Sequence, residues 1–381
     1  MLDGLSIDLN SIQLKLASLG RAWNVEDVTN VLRESRLVVS DATVLNVIQQ
    51  LRSVSAGAGP LEALLALPDL TDVVVNGWQQ VFIDQGQGLK ETASPFSSDA
   101  DVRRLAVRLA AGAGRRLDDS VPFADSRLPD GTRFHAVLAP IASPGTCISL
   151  RVPSKRDFAL DDWLANDSID QQMYETLSRI IQVKKSFLIS GGTGTGKTTL
   201  LSSLLNEVPC QERIVIIEDS RELAPSHPHC IRLEARPANS EGAGRITLTD
   251  LVRQALRMRP DRLVLGEARG AELVDLLAAM NTGHEGGCGT LHANSAHDVP
   301  ARLEALASLG GLSRAACQAQ VASAVDAVVH LSRVGSRRHV GQVGVVKRKA
   351  DGDVVVLDAL VTVGGKTKSS EGSSELERML S

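Results

Sequence analysis

Apolar positions along this chain change their period three times. Ile12, Leu16 and Leu19 stand at helical spacing, as do Val44, Leu45, Ile48 and Leu51, so residues 1–55 are expected to form short helices. The small-residue run Ser55-Ala56-Gly57-Ala58-Gly59-Pro60 reads as a joint. Residues 56–153 then mix the two periods. Val73-Val74-Val75 and Val81-Phe82-Ile83 predict strands around an Asn76-Gly77 turn, and residues 133–138 and 147–152 predict two more. Val102, Leu105, Ala106 and Leu109 mark one face of a helix. A small α/β domain ending near Pro153 is the expectation, followed by a charged linker over 154–170.

Met173, Leu177, Ile180 and Ile181 form another helical stripe. Beyond Ser186, short β-rich runs at 187–190, 214–217, 263–265 and 290–291 alternate with helical stretches. That alternation implies a parallel sheet covered by helices, within an α/β domain spanning 171–366. Residues 325–331, 343–346 and 354–357 are expected to extend the sheet. The Ser/Gly/Lys-rich end, 367–381, is expected to be a flexible tail.

A chain of 381 residues is long enough for two or three domains, each with its own core. The net charge of −4 argues against a protein that coats nucleic acid, and 3% aromatic content weakens any base-stacking mode of single-strand binding. No apolar run approaches the ~20 residues that cross a bilayer. The opening residues Met1-Leu2-Asp3-Gly4-Leu5-Ser6 lack the basic and apolar regions of a signal peptide. A cytoplasmic location with peripheral membrane contact is therefore expected. Five cysteines without a C-x-x-C pair point to reduced thiols.

Four segments carry chemistry. Gly191-Gly192-Thr193-Gly194-Thr195-Gly196-Lys197-Thr198 matches G-x-x-x-x-G-K-S/T, with an apolar strand before it and a helix after it beginning Thr198-Thr199. Its glycines let backbone N–H groups wrap phosphates, and the helix N-terminus adds positive partial charge. Lys197 is expected to reach the β- and γ-phosphates of ATP, and Thr198 to hold Mg²⁺. The second segment, 213–222, delivers carboxylates at a strand's C-terminal end, where open α/β sheets bind ligands. Glu218 is the candidate for orienting the attacking water, with Glu222 as its alternative. In the third, 259–269, a buried strand ends in Glu267, the position of a Walker-B-type acid that binds Mg²⁺ through water. The fourth, 283–295, holds His284, Cys288 and His292. No fourth zinc ligand stands at a usual spacing, and its glycines point to backbone near a ligand. His292 follows a short strand and is placed to sense the γ-phosphate.

Taken together and in this order, the four segments resemble the Walker A, Asp box, Walker B and His box of the type II/type IV secretion ATPase superfamily. Leu256-Arg257-Met258-Arg259-Pro260-Asp261, Gly266-Glu267-Ala268-Arg269-Gly270 and Met280-Asn281-Thr282-Gly283-His284 are its most specific runs. Upstream, Thr71-Asp72-Val73-Val74-Val75-Asn76-Gly77 and Ser126-Arg127-Leu128-Pro129-Asp130-Gly131-Thr132-Arg133 resemble the tight-adherence (Flp) pilus and conjugal-transfer-associated branch, and the resemblance covers residues 57–362. It implies a RecA-like P-loop core, a smaller N-terminal α/β domain, ATP and Mg²⁺ as cofactors, and a homohexamer. It also implies inner-membrane platform proteins as partners and pilus assembly or secretion as the work done. Basic residues from the N-terminal domain or a neighbouring subunit close on the nucleotide in such proteins. Arg127, Arg133 and Arg151 are the matching candidates, with Arg133 first, while Arg257 and Arg269 are expected to brace a subunit interface. The rivals are a conjugation or effector-secretion ATPase, a nucleic-acid motor of RecA or helicase type, and a scaffold that binds ATP without turnover.

Overall fold

A computed structural model describes residues 25–34, 58–153, 158–236, 243–334 and 337–381, together with Ile12, Lys15, Val47 and Ala238. The chain divides into two units, Met1–Ser154 and Lys155–Ser381.

In the first unit, helix α1 (Val25–Glu34) and a short helix α2 (Glu62–Leu65) precede strands β1 (Asp72–Asn76), β2 (Gln80–Asp84) and β3 (Lys90–Thr92). Helix α3 (Asp99–Gly112) and strands β4 (Phe123–Arg127), β5 (Arg133–Val137) and β6 (Cys147–Arg151) follow. The strands form one antiparallel sheet in the order β3-β2-β1-β6-β5-β4. The α3 stripe Val102, Leu105, Ala106 and Leu109 is buried in a core shared with Val73, Val75, Phe134, Ile148 and Leu150. Asp99, in the first turn of α3, accepts hydrogen bonds from the Thr146 N–H (2.8 Å) and hydroxyl (3.1 Å), which pins the helix to the loop before β6. Of the apolar positions expected in helices over 1–55, Ile12 is buried and helical; Leu16, Leu19, Val44, Leu45, Ile48 and Leu51 lie outside the described residues.

The second unit opens with α4 (Leu160–Ala165) and α5 (Gln171–Gln182), then β7 (Phe187–Gly191), α6 (Lys197–Asn206), β8 (Ile214–Glu218) and β9 (Cys230–Glu234). Next come α7 (Leu248–Ala255), β10 (Arg262–Leu265), α8 (Glu272–Met280), β11 (Cys288–Leu291), α9 (Val299–Leu309) and α10 (Arg314–Ala324). The unit closes with β12 (Ala327–Val334), β13 (Arg337–Arg348), β14 (Val354–Val363), β15 (Lys366–Ser369) and α11 (Ser373–Leu380). Its nine strands lie in the order β15-β14-β13-β12-β7-β11-β10-β8-β9. From β12 to β9 all neighbours are parallel; β13, β14 and β15 add an antiparallel extension.

Strands β7, β8, β10 and β11 are buried at every residue, which is why apolar residues dominate them, with Ser190, Glu218, Arg262 and Thr290 as their buried polar positions. Successive side chains go to opposite faces. Ile189, Ile216 and Val264 pack with Leu177 and Leu201 on one face, while Leu188, Ile217 and Leu265 pack with Leu273 and Leu303 on the other.

Two stretches depart from expectation. Residues 158–170, read as part of a linker, are built into the second unit: Leu160 and Trp163 are buried, and the indole N–H of Trp163 donates to Ser203 Oγ at 3.0 Å. Residues 367–381, read as a flexible tail, form the end of β15 and all of α11. Asp170 accepts from the Thr367 N–H (2.7 Å) and hydroxyl (2.5 Å), and Leu376 is buried against the core. Burial of a few apolar side chains outweighs a polar composition in both places. Among the described residues no helix is long and apolar enough to cross a membrane.

Candidate nucleotide-binding site

Gly191 closes β7, residues 192–195 form the loop, and Lys197, Thr198 and Thr199 open α6. Gly196 caps that helix at φ +96°, in the left-handed region where a side chain is strained. The Thr195 hydroxyl donates to the Gly192 carbonyl at 2.9 Å and tightens the turn. Lys197 is buried, with its ammonium donating to the carbonyls of Gly191 (3.1 Å) and Gly192 (2.8 Å). Burial pulls its pKa below the ordinary lysine value, and the carboxylates of Glu267 and Glu222 pull it back up.

The ends of β11, β10 and β8 bring their side chains toward this lysine. His292, directly after β11, faces Lys197 Nζ with Nδ1 at 3.4 Å and Glu267 Oε1 with Nε2 at 2.8 Å. Burial and the nearby Lys197 charge lower the His292 pKa, so the ring is neutral at neutral pH, with Nε2–H donating to the carboxylate. The other oxygen of Glu267 accepts from Arg269 Nη2 at 2.5 Å, and Arg269 Nη1 donates to Asp219 Oδ2 at 2.6 Å. Lys197, His292, Glu267, Arg269 and Asp219 thus make a continuous polar chain across three strand ends. Thr290 supports it from below, its hydroxyl donating to the Gly266 carbonyl at 2.6 Å.

Glu218 and Glu222 take different places. Glu218, the last residue of β8, is turned inward and packs against Gly266, where a Cβ would stand 2.6 Å from Glu218 Cγ. Its Oε1 accepts the N–H groups of Glu222 (2.8 Å) and Leu223 (2.9 Å), so it shapes the loop after β8. Burial lifts its pKa to about 7. Glu222, carried on that loop, presents Oε2 to the Thr198 hydroxyl at 3.4 Å. The carboxylate beside the P-loop is therefore Glu222's rather than Glu218's.

The three candidate arginines of the first unit stand abreast. Arg127 on β4 faces Arg133 on β5, which faces Arg151 on β6, which faces Asp72 on β1. Arg151 Nε donates to Asp72 Oδ1 at 3.1 Å. Asp130 binds the Thr132 N–H (3.0 Å) and hydroxyl (2.9 Å) and so fixes the turn between β4 and β5. Arg257, expected at an interface, donates from Nη1 to the Arg253 carbonyl at 2.8 Å. Arg269, expected beside it in that role, lies in the site.

Sequence reasoning passed over one buried pair beneath the loop. Ser190 Oγ lies 2.9 Å from His330 Nδ1, joining β7 to β12. These residues are 140 positions apart, and an alternating strand pattern does not reveal which polar position will face a partner.

Residues 54–356 match the family described as Type II/IV secretion system protein. The chain belongs to that family. It is 49% identical over 326 residues to a putative conjugal transfer protein of Mycobacterium tuberculosis, covering 83% of this chain and 92% of that one. It is 32% identical over 311 residues to the type IV secretion system protein PtlH of Bordetella pertussis (74% of this chain, 91% of that one). The conjugal transfer protein TrbB of Rhizobium radiobacter is 31% identical over 286 residues (73% and 85%). Among solved structures, the pilus retraction motor PilT with bound ADP shares the fold at 17% identity and TM-score 0.53, covering 84% of this chain and 85% of that one. The Legionella pneumophila ATPase DotB does so at 19% and 0.51, covering 80% of each. The second unit of this secretion-family chain is accordingly the RecA-like α/β fold that the family resemblance implied.

Proposed function

We propose that the chain is an ATP-hydrolysing motor of a secretion or pilus machine. One observation carries the reading: a P-loop lysine stands beside a histidine and a strand-end carboxylate, joined in one polar chain at the C-terminal edge of a parallel sheet. In this reading Lys197 and the N–H groups of the loop bind the phosphates. Glu222 orients the attacking water, His292 reports on the γ-phosphate, and Glu218 braces the loop that carries Glu222.

The residues fit Mg²⁺. The Thr198 hydroxyl with the Glu222 and Glu267 carboxylates is an all-oxygen set with few protein ligands, as suits an ion held chiefly by phosphates and water. Bound there, the ion would neutralise charge on the phosphate oxygens. The arginine row, led by Arg133, is assigned to the nucleotide's phosphates in an assembled homohexamer.

The work is assigned to Flp-type pilus assembly at the inner face of the cytoplasmic membrane, with membrane platform proteins as partners. Conjugal transfer is the second reading, favoured by the name of the 49% identical relative. Deleting the gene and scoring both surface filaments and transfer frequency separates the two. Phosphate release from ATP, measured with and without single-stranded DNA at ~150 mM salt, tests the enzyme itself. A rate unaffected by DNA supports the protein motor; a many-fold rise would transfer the assignment to a nucleic-acid motor.

A further inference from the structure

Strand order sets the P-loop between two different neighbourhoods. On one side of β7 lie β11, β10 and β8, which deliver His292, Glu267 and Glu222 to Lys197 and Thr198. On the other side lies β12, followed by β13. This second side meets the loop at Gly196. A Cβ built there would stand 3.3 Å from Trp163 Cη2, 3.6 Å from Arg338 Cδ and 3.9 Å from Leu331 Cδ2. Glycine at the cap thus lets an arginine stem lie against the start of α6.

Arg338 sits near the start of β13, opposite Arg333 on β12, and is exposed. Trp163 backs the same glycine and is itself anchored to Ser203. Neighbouring side chains on a strand point to opposite faces, and Arg337 pairs with Asp167 at 3.3 Å. Arg338 is the one whose stem lies against the loop.

A P-loop cradles the α- and β-phosphates on its N–H groups, with the γ-phosphate directed to the lysine and the metal-binding hydroxyl. The reacting end of a nucleotide therefore lies on the β11-β10-β8 side, and its other end lies toward β12. A guanidinium is always charged and offers a fork of donors that matches phosphate oxygens. Arg338 Cδ stands 3.6 Å from where a Cβ on Gly196 would lie, and the guanidinium is the next group along the side chain. We propose that Arg338 is a nucleotide-binding residue that holds the non-reacting end of a nucleoside di- or triphosphate, at the α-phosphate and ribose, from within the same unit as the P-loop. This inference rests on the P-loop reading and adds the residue that grips the part of the ligand common to substrate and product.

A contact to that common part binds substrate, transition state and product alike, so it acts on KM and leaves kcat in place. Titration calorimetry of the full chain with ADP and with a non-hydrolysable ATP analogue tests this, using wild type, Arg338→Ala, Arg338→Lys and the control Arg337→Ala. The expected result is a loss of about 10-fold or more for both ligands in Arg338→Ala, the size of one charge-assisted hydrogen bond. Arg338→Lys should recover part of it. Arg337→Ala should stay within about twofold of wild type, with KM raised and kcat retained at saturating ATP for Arg338→Ala only. Thermal unfolding of each variant establishes that the fold is intact. Tight wild-type binding with unchanged affinity in Arg338→Ala would overturn this inference alone. A loss confined to the ATP analogue, or a fall in kcat at saturation, would overturn it by moving Arg338 to the reacting end. Equal losses in Arg337→Ala would reduce it to diffuse charge. Absence of any nucleotide binding by wild type would remove the P-loop reading and this inference with it.

Discussion

His292 bridges Lys197 and Glu267, with Nδ1 3.4 Å from the ammonium and Nε2 2.8 Å from the carboxylate. A neutral imidazole does this with one nitrogen accepting and the other donating, and so fixes the orientation of Glu267. Partners that orient a metal-binding carboxylate typically contribute 10- to 100-fold in activity, roughly. His292→Ala should lower ATP turnover by about that factor while ADP affinity changes little. Steady-state kinetics together with a binding titration check this; an unchanged kcat would remove His292 from the site.

The two glutamates of the second acidic segment should behave differently. Glu222→Gln should permit nucleotide binding and cut hydrolysis on the order of 10²-fold, because its carboxylate is the one beside Thr198. Glu218→Gln should keep most of the rate, since glutamine still accepts the loop N–H groups that Glu218 accepts. Single-turnover measurements on both variants decide the matter. A greater loss in Glu218→Gln would return the water-orienting role to the strand-end residue.

Glu218 also makes a prediction about pH. Its carboxyl ionises at the ordinary value of 4.5 when exposed and near 7 in the fold, because burial disfavours the charge. Between these values the folded chain holds a proton that the unfolded chain has lost. Stability should therefore fall as pH rises through that window, by on the order of 3 kcal/mol, and level off above it. In Glu218→Gln this component should vanish. Urea unfolding of both proteins from about pH 4.5 to 8 measures it, and equal slopes would contradict the burial argument.

Contiguous chemistry was legible in the chain, and chemistry assembled from afar was not. The P-loop is eight adjacent residues flanked by a buried strand and a helix, so composition and context suffice to find it. Glu267 was legible because an apolar run delivers it. The inward turn of Glu218 was not, since it depends on Gly266, just past the end of the neighbouring strand β10, giving it room. Arg262 is a further case: it lies fully buried on β10, paired with Glu212 at 2.5 Å and donating to the Ile181 carbonyl at 2.8 Å. Nothing adjacent to it in sequence announces those partners. The ordered C-terminal segment was misread for the same reason, because Asp170, nearly 200 residues earlier, anchors it.

The arginine row predicts dependence on assembly. An arginine that stabilises phosphoryl-transfer charge can be worth ~10³-fold or more. Arg133→Ala should lower turnover with little effect on nucleotide affinity, and wild-type specific activity should rise with protein concentration alongside the hexamer population. If Arg133 acts on a neighbouring subunit, mixing Arg133→Ala with Lys197→Ala chains should restore part of the activity. No recovery in verified mixed hexamers would place its action within one chain, and full activity in a stable monomer would discard the hexameric motor.

The central claim is that ATP is hydrolysed at the loop carrying Lys197, whose ammonium is held 2.8 Å from the Gly192 carbonyl and beside His292. Phosphate release by purified wild type and Lys197→Ala, with ATP and Mg²⁺, tests it most directly. The account predicts steady turnover by wild type and none above background in the variant, with the variant's thermal unfolding showing an intact fold. Equal turnover by the two proteins would contradict it.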